Sequence, residues 1–194
     1  MVWKRYLQWQ QAEENSSVVN VSLRNKSNGW KAFSMKLEFD NGSQKYYSLS
    51  QDFFLRSFLS DLCLRPSCYN CNFKGVYRSA DFTLADFWGV NNVVNGFDDD
   101  LGTSLVMINS PKAYDIFNSL KKNFTFVPVD TYEALKYNSA ATSSVNEPSA
   151  RQSFMSEIKT NDFNEVVNKH APIKMKKISL LSKITRKLNR LAQK

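Results

Sequence analysis

The sequence predicts an α+β fold, a mixed or antiparallel sheet with flanking helices, and three observations predict it. Segments with apolar residues at helical spacing occur at Val2 to Glu14, Ser50 to Leu62 and Pro111 to Asn123. Short segments of two-residue period occur at Val18 to Leu23, Trp30 to Phe39, Phe82 to Phe87 and Thr103 to Ile108. With 42% hydrophobic and 13% aromatic residues, the 194-residue chain has enough apolar surface to bury a sizeable core.

Each element has a local reason. In the first helix Trp3, Tyr6, Leu7 and Gln10 fall at helical spacing. Val19, Val21 and Leu23 then alternate as a strand, and Phe33, Met35, Leu37 and Phe39 alternate against Trp30, Ala32, Ser34 and Lys36 in the next. Asn41 and Gly42 accept positive φ at little cost, so the chain turns there into a third strand, Lys45 to Leu49. Ser50 is the expected N-cap of a helix whose apolar face is Phe53, Phe54, Phe58 and Leu62.

The strands Phe82 to Phe87 and Thr103 to Ile108 are separated by a Gly- and Asp-rich loop, Gly96 to Gly102. Asp98, Asp99 and Asp100 read there as solvated, because three consecutive acids point in different directions and the rest of a calcium loop is missing. Pro111 opens a helix, Phe124 to Val129 reads as a strand, and Asp130 caps a helix to Tyr137. Ala140 to Pro148 is a polar connector, followed by helical patterns at Ala150 to Lys159 and Phe163 to His170. The expected division is a body at 1–140, a connector with short helices at 141–170 and a basic tail at 171–194.

Charge is distributed unevenly. The formal net charge is +8, yet nine Lys and Arg fall between Lys169 and Lys194, and the preceding residues carry 17 basic and 18 acidic side chains. The body offers no basic stripe, so nucleic acid is not an expected partner. In the tail Ile178, Leu181, Ile184, Leu188 and Leu191 recur at spacings of three and four, which predicts a basic amphipathic helix. Ile173 to Gln193 would suit docking on its own chain, on a partner subunit, or on an anionic membrane surface. No long apolar run or secretory signal is evident, so the expected location is cytoplasmic, with the inner membrane face open for peripheral contact.

All three cysteines lie in one loop, as Cys63-x4-Cys68-x2-Cys71. Thiolates are soft ligands, and a two-residue gap lets two sulfurs meet one metal from a tight turn. Three readings stay open: an iron-sulfur cluster whose fourth ligand lies elsewhere, zinc completed by His170 or a carboxylate, or buried thiols that only pack. His170, at the end of a helical pattern, is expected to serve the helix C-terminus.

Arg78 to Gly89 reads RSADFTLADFWG. Its alternation makes a strand that delivers Asp86 to its end and runs into Trp88 and Gly89. An acid, an indole and a glycine at a strand end suit a planar ligand, although aromatic residues after a strand are more often core. No phosphate-binding loop, dinucleotide glycine fingerprint or serine-hydrolase elbow occurs.

The run RPSCYNCNFKGVYRSADFTLADFWG, with Gly102-Thr103-Ser104-Leu105-Val106, resembles the C-terminal domain of the coenzyme F420 hydrogenase/dehydrogenase beta-subunit family, especially its bacterial polysaccharide-cluster members. Leu23-Arg24-Asn25-Lys26 with Gly29-Trp30 is similar to the family's FR-x-K-x2-GW pattern, and Pro148-Ser149-Ala150-Arg151 with Phe154 is similar to its ending. The resemblance implies an iron-sulfur flavoprotein that moves electrons between a 4Fe-4S cluster and FAD. It implies cluster ligation by Cys63, Cys68 and Cys71, with the fourth ligand outside this chain, and places Asp81, Asp86, Trp88 and Gly89 near the flavin. Members of the family are about twice as long, so the expectation is a C-terminal part completed by an N-terminal domain or a separate redox subunit. The alternative is a non-catalytic interaction module, docking a polysaccharide-biosynthesis or redox partner at the membrane through the basic tail.

Overall fold

The computed structural model describes residues 1–173. Helices and small antiparallel sheets alternate in an α+β arrangement organised around two hydrophobic cores. The tail helix and its membrane-docking role, expected beyond Ile173, lie outside the described residues.

The first core begins with helix α1, Val2–Glu14, which buries Val2, Tyr6 and Gln10 and ends on Asn15 in the left-handed conformation that terminates helices. Strands β1 (Val18–Asn25), β2 (Ser34–Phe39) and β3 (Gln44–Ser48) form an antiparallel sheet with β2 at its centre. The central strand turns Met35, Leu37 and Phe39 into the core at alternate positions. The pairing of β1 with β2 slips between Ser22 and Asn25, which sets Arg24 in the irregular end of its strand. Trp30 to Phe33 stay outside the ladder, contrary to the sequence expectation, because the Trp30 N–H donates to the Asp100 carbonyl at 2.9 Å.

Helix α2, Phe53–Leu59, is capped by Asp52 rather than Ser50: the carboxylate accepts from the Leu55 N–H at 2.7 Å. The same buried carboxyl accepts from the Tyr6 hydroxyl at 2.5 Å, and Gln10 donates to that hydroxyl at 3.2 Å. A cap and a tertiary tie are thus one group, which local pattern alone does not reveal. After the short helix α3 (Pro66–Tyr69), the second core is built on β4 (Phe82–Asp86) and β5 (Ser104–Ile108), an antiparallel pair with α4 (Val90–Val93) between them in sequence. Helix α5, Pro111–Leu120, starts with Ser110 as its cap and continues into a single 3-10 turn. Phe87, Val90 and Leu105 pack in the second core with Ala134 and Leu135 of α6 (Thr131–Leu135), whose N-cap is Asp130 as expected.

Phe124 to Val129 is not a strand. It is extended, but β5 pairs only with β4 and Pro128 has no N–H to give a ladder, so the alternation finds no partner. The polar connector contains the one-turn helix α7, Ser139–Thr142. Helices α8 (Arg151–Glu157) and α9 (Phe163–His170) then return to the first core, where Phe154, Ile158, Phe163, Val166 and Val167 are buried against α1 and β2. Arg56 closes this packing by donating to the Ala171 carbonyl and, at 3.0 Å, to Asn168. No described helix is long and apolar enough to cross a membrane.

Candidate functional site

The two cores meet along a seam made by residues 24–33 on one side and 86–102 on the other. Arg24 reaches across from the end of β1 to Asp86 at the end of β4, donating at 2.5 Å. Trp30 stacks on Trp88 with ring centres 4.3 Å apart and planes 27° from parallel. The Arg24 guanidinium carbon lies 4.9 Å from the Phe33 ring centre and 5.8 Å from that of Trp88. Asp100 accepts from the Lys31 N–H at 3.0 Å, while the nearly enclosed Asp98 pairs with the Lys31 ammonium. That ion pair holds the Asp98 carboxyl below the usual carboxylate range. The triple-Asp loop is therefore a brace for the seam rather than simply solvated, with only Asp99 fully outside the bracing contacts.

Trp30 is 2% exposed and its indole N–H has no hydrogen-bond partner in the structure, resting against Gly102. Gly102 has φ +107, and a Cβ there would press on the indole ring. Trp88 is 37% exposed, so the stack is buried on one side and open on the other. A half-exposed indole and an adjacent guanidinium thus lie together at this corner, with the unpaired Trp30 donor buried behind them.

The sequence-predicted residues do not all share this corner. Asp86 and Trp88 do. Gly89 adjoins it with φ +74, but the space a side chain would fill is taken by the ring of Tyr137, so its glycine serves packing and turn geometry. Asp81 sits at the other end of β4, about 17 Å from Asp86 along five residues of extended chain. There it accepts from Ser110 at 2.5 Å and pairs with Lys112 at 3.5 Å, beside the start of α5. Arg24, Trp30 and Phe33 complete the corner, and sequence reasoning does not single them out as site residues. The signal for two of them is the FR-x-K-x2-GW-like pattern, which carries Arg24 and Trp30 together.

A larger concavity of about 1570 Å³ runs along the outer face of β4 and β5, between Leu84, Val106, Phe117 and Phe126. It is wide and mainly apolar, and neither Asp86, Trp88 nor a cysteine lines it.

The cysteine loop is strapped down from several sides. Tyr69 donates to the Asp61 carbonyl, Arg151 donates to the Leu64 carbonyl at 3.0 Å while lying 5.3 Å from the Tyr69 ring centre, and the Cys71 N–H donates to Ser144 at 2.9 Å. Arg78 donates to the Ala141 carbonyl at 2.6 Å, tying the far end of the loop to α7. Cys63 packs against the first core, and burial pushes its thiol from 9.0 up to about 11. Among the described residues no three or more His, Cys, Asp or Glu side chains are gathered to hold a metal ion. His170 is engaged elsewhere, with Glu157 at 3.1 Å and the edge of Phe154 beside it. The raised thiol cuts the Cys63 thiolate fraction to roughly one hundredth of an ordinary cysteine's. Peptide mapping after timed iodoacetamide treatment should find Cys63 labelled correspondingly slowly. Labelling at the rate of a free small thiol would mean the loop is open.

This architecture defines a class: a two-core α+β domain with an aromatic and charged corner at the seam and a braced cysteine loop beside it. The chain belongs to the family described as coenzyme F420 hydrogenase/dehydrogenase, beta subunit (C terminus), whose model matches residues 2–131. The match makes it a domain of a redox-enzyme subunit family and covers the corner and all three cysteines, ending before α7 and the Arg151 strap. No curated protein and no solved structure gives a significant match to the chain.

Proposed function

We propose that this chain is the part of an F420 hydrogenase/dehydrogenase-type oxidoreductase that receives one face of a flavin, FAD, on Trp88, while a further domain or a separate partner protein completes the site. The Trp30–Trp88 stack beside Arg24 and Asp86 is the observation that carries the reading. Trp88 offers a flat apolar surface, Trp30 fixes its orientation from behind, and the Arg24–Asp86 pair supplies donors and an acceptor at the ring edge. The bound flavin would supply the electron-accepting and electron-donating chemistry, and the residues of this chain bind and orient it. Asp81 belongs to the reading only if the cofactor extends along β4 from the corner.

Cluster ligation by Cys63, Cys68 and Cys71 is the second component of the proposal. It requires a fourth ligand to come from outside the chain. A corner open on one side holds a flavin weakly, so the purified chain should carry little flavin and bind added FAD with modest affinity. Tryptophan quenching on titration with FAD measures this. Replacing Trp88 by alanine should weaken binding by about 1 to 3 kcal/mol, the range for a ring stacked on an aromatic side chain. Unchanged affinity in Trp88→Ala would refute the site.

A further inference from the structure

Arg24 has donors to spare. Among the described residues its guanidinium makes one side-chain hydrogen bond, from a single terminal nitrogen to Asp86, and its side chain remains 38% exposed. Its position is nevertheless fixed, between the Phe33 and Trp88 rings on one side and the Asp86 carboxylate on the other. A guanidinium is a rigid planar fork of five N–H groups, so engaging one leaves the others aimed in known directions. Its carbon lies over the Trp88 ring, 5.8 Å from the ring centre, so a flat group received on that indole comes to lie against the guanidinium.

Resting on the flavin reading, we propose that Arg24 makes this corner discriminate by oxidation state, binding a ring that carries negative charge in preference to its neutral form. The isoalloxazine ring is neutral when oxidised and, in mildly alkaline solution, anionic when reduced, with the charge in the ring itself. A fixed cation against the ring stabilises the charged form and leaves the neutral form nearly unaffected. Asp86 offsets part of the arginine's charge and solvent screens the rest, so the preference is that of one partly screened contact, about fivefold.

Riboflavin tests this, because it lacks the phosphates through which an arginine could otherwise hold FAD. The full chain is equilibrated anaerobically with oxidised or dithionite-reduced riboflavin in mildly alkaline buffer, and bound ligand is measured by ultrafiltration. The reduced form should bind about fivefold tighter. Arg24→Gln should erase that ratio by weakening the reduced form about fivefold more than the oxidised form, and Arg24→Lys should restore part of it. Equal affinities in the unmodified chain, or an Arg24→Gln variant that loses both forms by the same factor, would overturn the proposal. If riboflavin and FAD both fail to bind in either state, the flavin reading itself falls and this inference with it. Binding indifferent to oxidation state sinks the inference alone.

Discussion

Replacing Asp52 by alanine will lower the unfolding free energy by about 1.5 to 5 kcal/mol, through two losses that add. The helix α2 cap goes, at about 0.5 to 2 kcal/mol, and the buried Tyr6 hydroxyl loses its acceptor, at about 1 to 3 kcal/mol. Asp52 is 1% exposed and Tyr6 fully buried, so water cannot replace either bond without opening the core. Burial raises the Asp52 carboxyl above the usual carboxylate range despite the hydrogen bonds it accepts, and burial together with the neighbouring carboxylate keeps Tyr6 protonated as the donor. A group whose pKa is raised by folding binds its proton more tightly in the native state. Its contribution is complete below the unfolded value of about 3.9 and is lost as pH rises through the folded value. Asn can cap α2 and accept from Tyr6 without titrating. Urea unfolding across this acid range should therefore show the parent chain losing stability relative to Asp52→Asn as pH rises. A flat difference would mean that Asp52 ionises as it does in the unfolded chain.

Gly89→Val will cost about 2 to 5 kcal/mol and disturb the seam directly. A left-handed backbone costs a residue with a Cβ about 1 to 2 kcal/mol, and a β-branched one is a clear outlier there. The added atoms also fall within the Tyr137 ring, and overpacking of this kind costs about 1 to 3 kcal/mol. Tyr137→Ala removes the clash but not the backbone cost. In a cycle of Gly89→Ala and Tyr137→Ala, the double variant should be more stable than the two single losses added together. Strict additivity would show that Tyr137 does not sit over Gly89.

Much of the fold is legible because local and tertiary demands agree. Helix α1, the β2–β3 turn at Asn41 and Gly42, the Pro111 helix start and the Asp130 cap all follow from the chemistry of neighbouring residues. Legibility ends where a partner distant in sequence decides. Ser50 and Asp52 are both good caps, and Tyr6, 46 residues earlier, favours Asp52. The period at Phe124 to Val129 suits a strand, but the fold places no edge beside it. At the site, Asp86 and Trp88 are readable as a strand end that presents polar and aromatic groups. Arg24 stands 62 residues away, and only the slipped end of β1 brings it there. At Gly89 the left-handed backbone and the Tyr137 ring pressed against it are demands that the motif does not show. The cysteine spacing speaks of ligands, but it does not reveal that Cys63 packs on the first core or that Arg151, more than 80 residues later, straps the loop.

The four tryptophans of the chain divide cleanly: Trp3 and Trp9 pack on Phe54 and Phe53 in the first core, and Trp30 and Trp88 stack at the seam. A flavin received at the seam corner, and on no other aromatic surface, must therefore perturb one pair and spare the other. Indole N–H resonances, assigned by single Trp→Phe variants and followed during FAD titration, report on each ring separately. The Trp30 and Trp88 signals should shift and broaden together while those of Trp3 and Trp9 stay in place. Movement confined to Trp3 and Trp9, or FAD bound with all four signals unmoved, would rule out the corner as the flavin site.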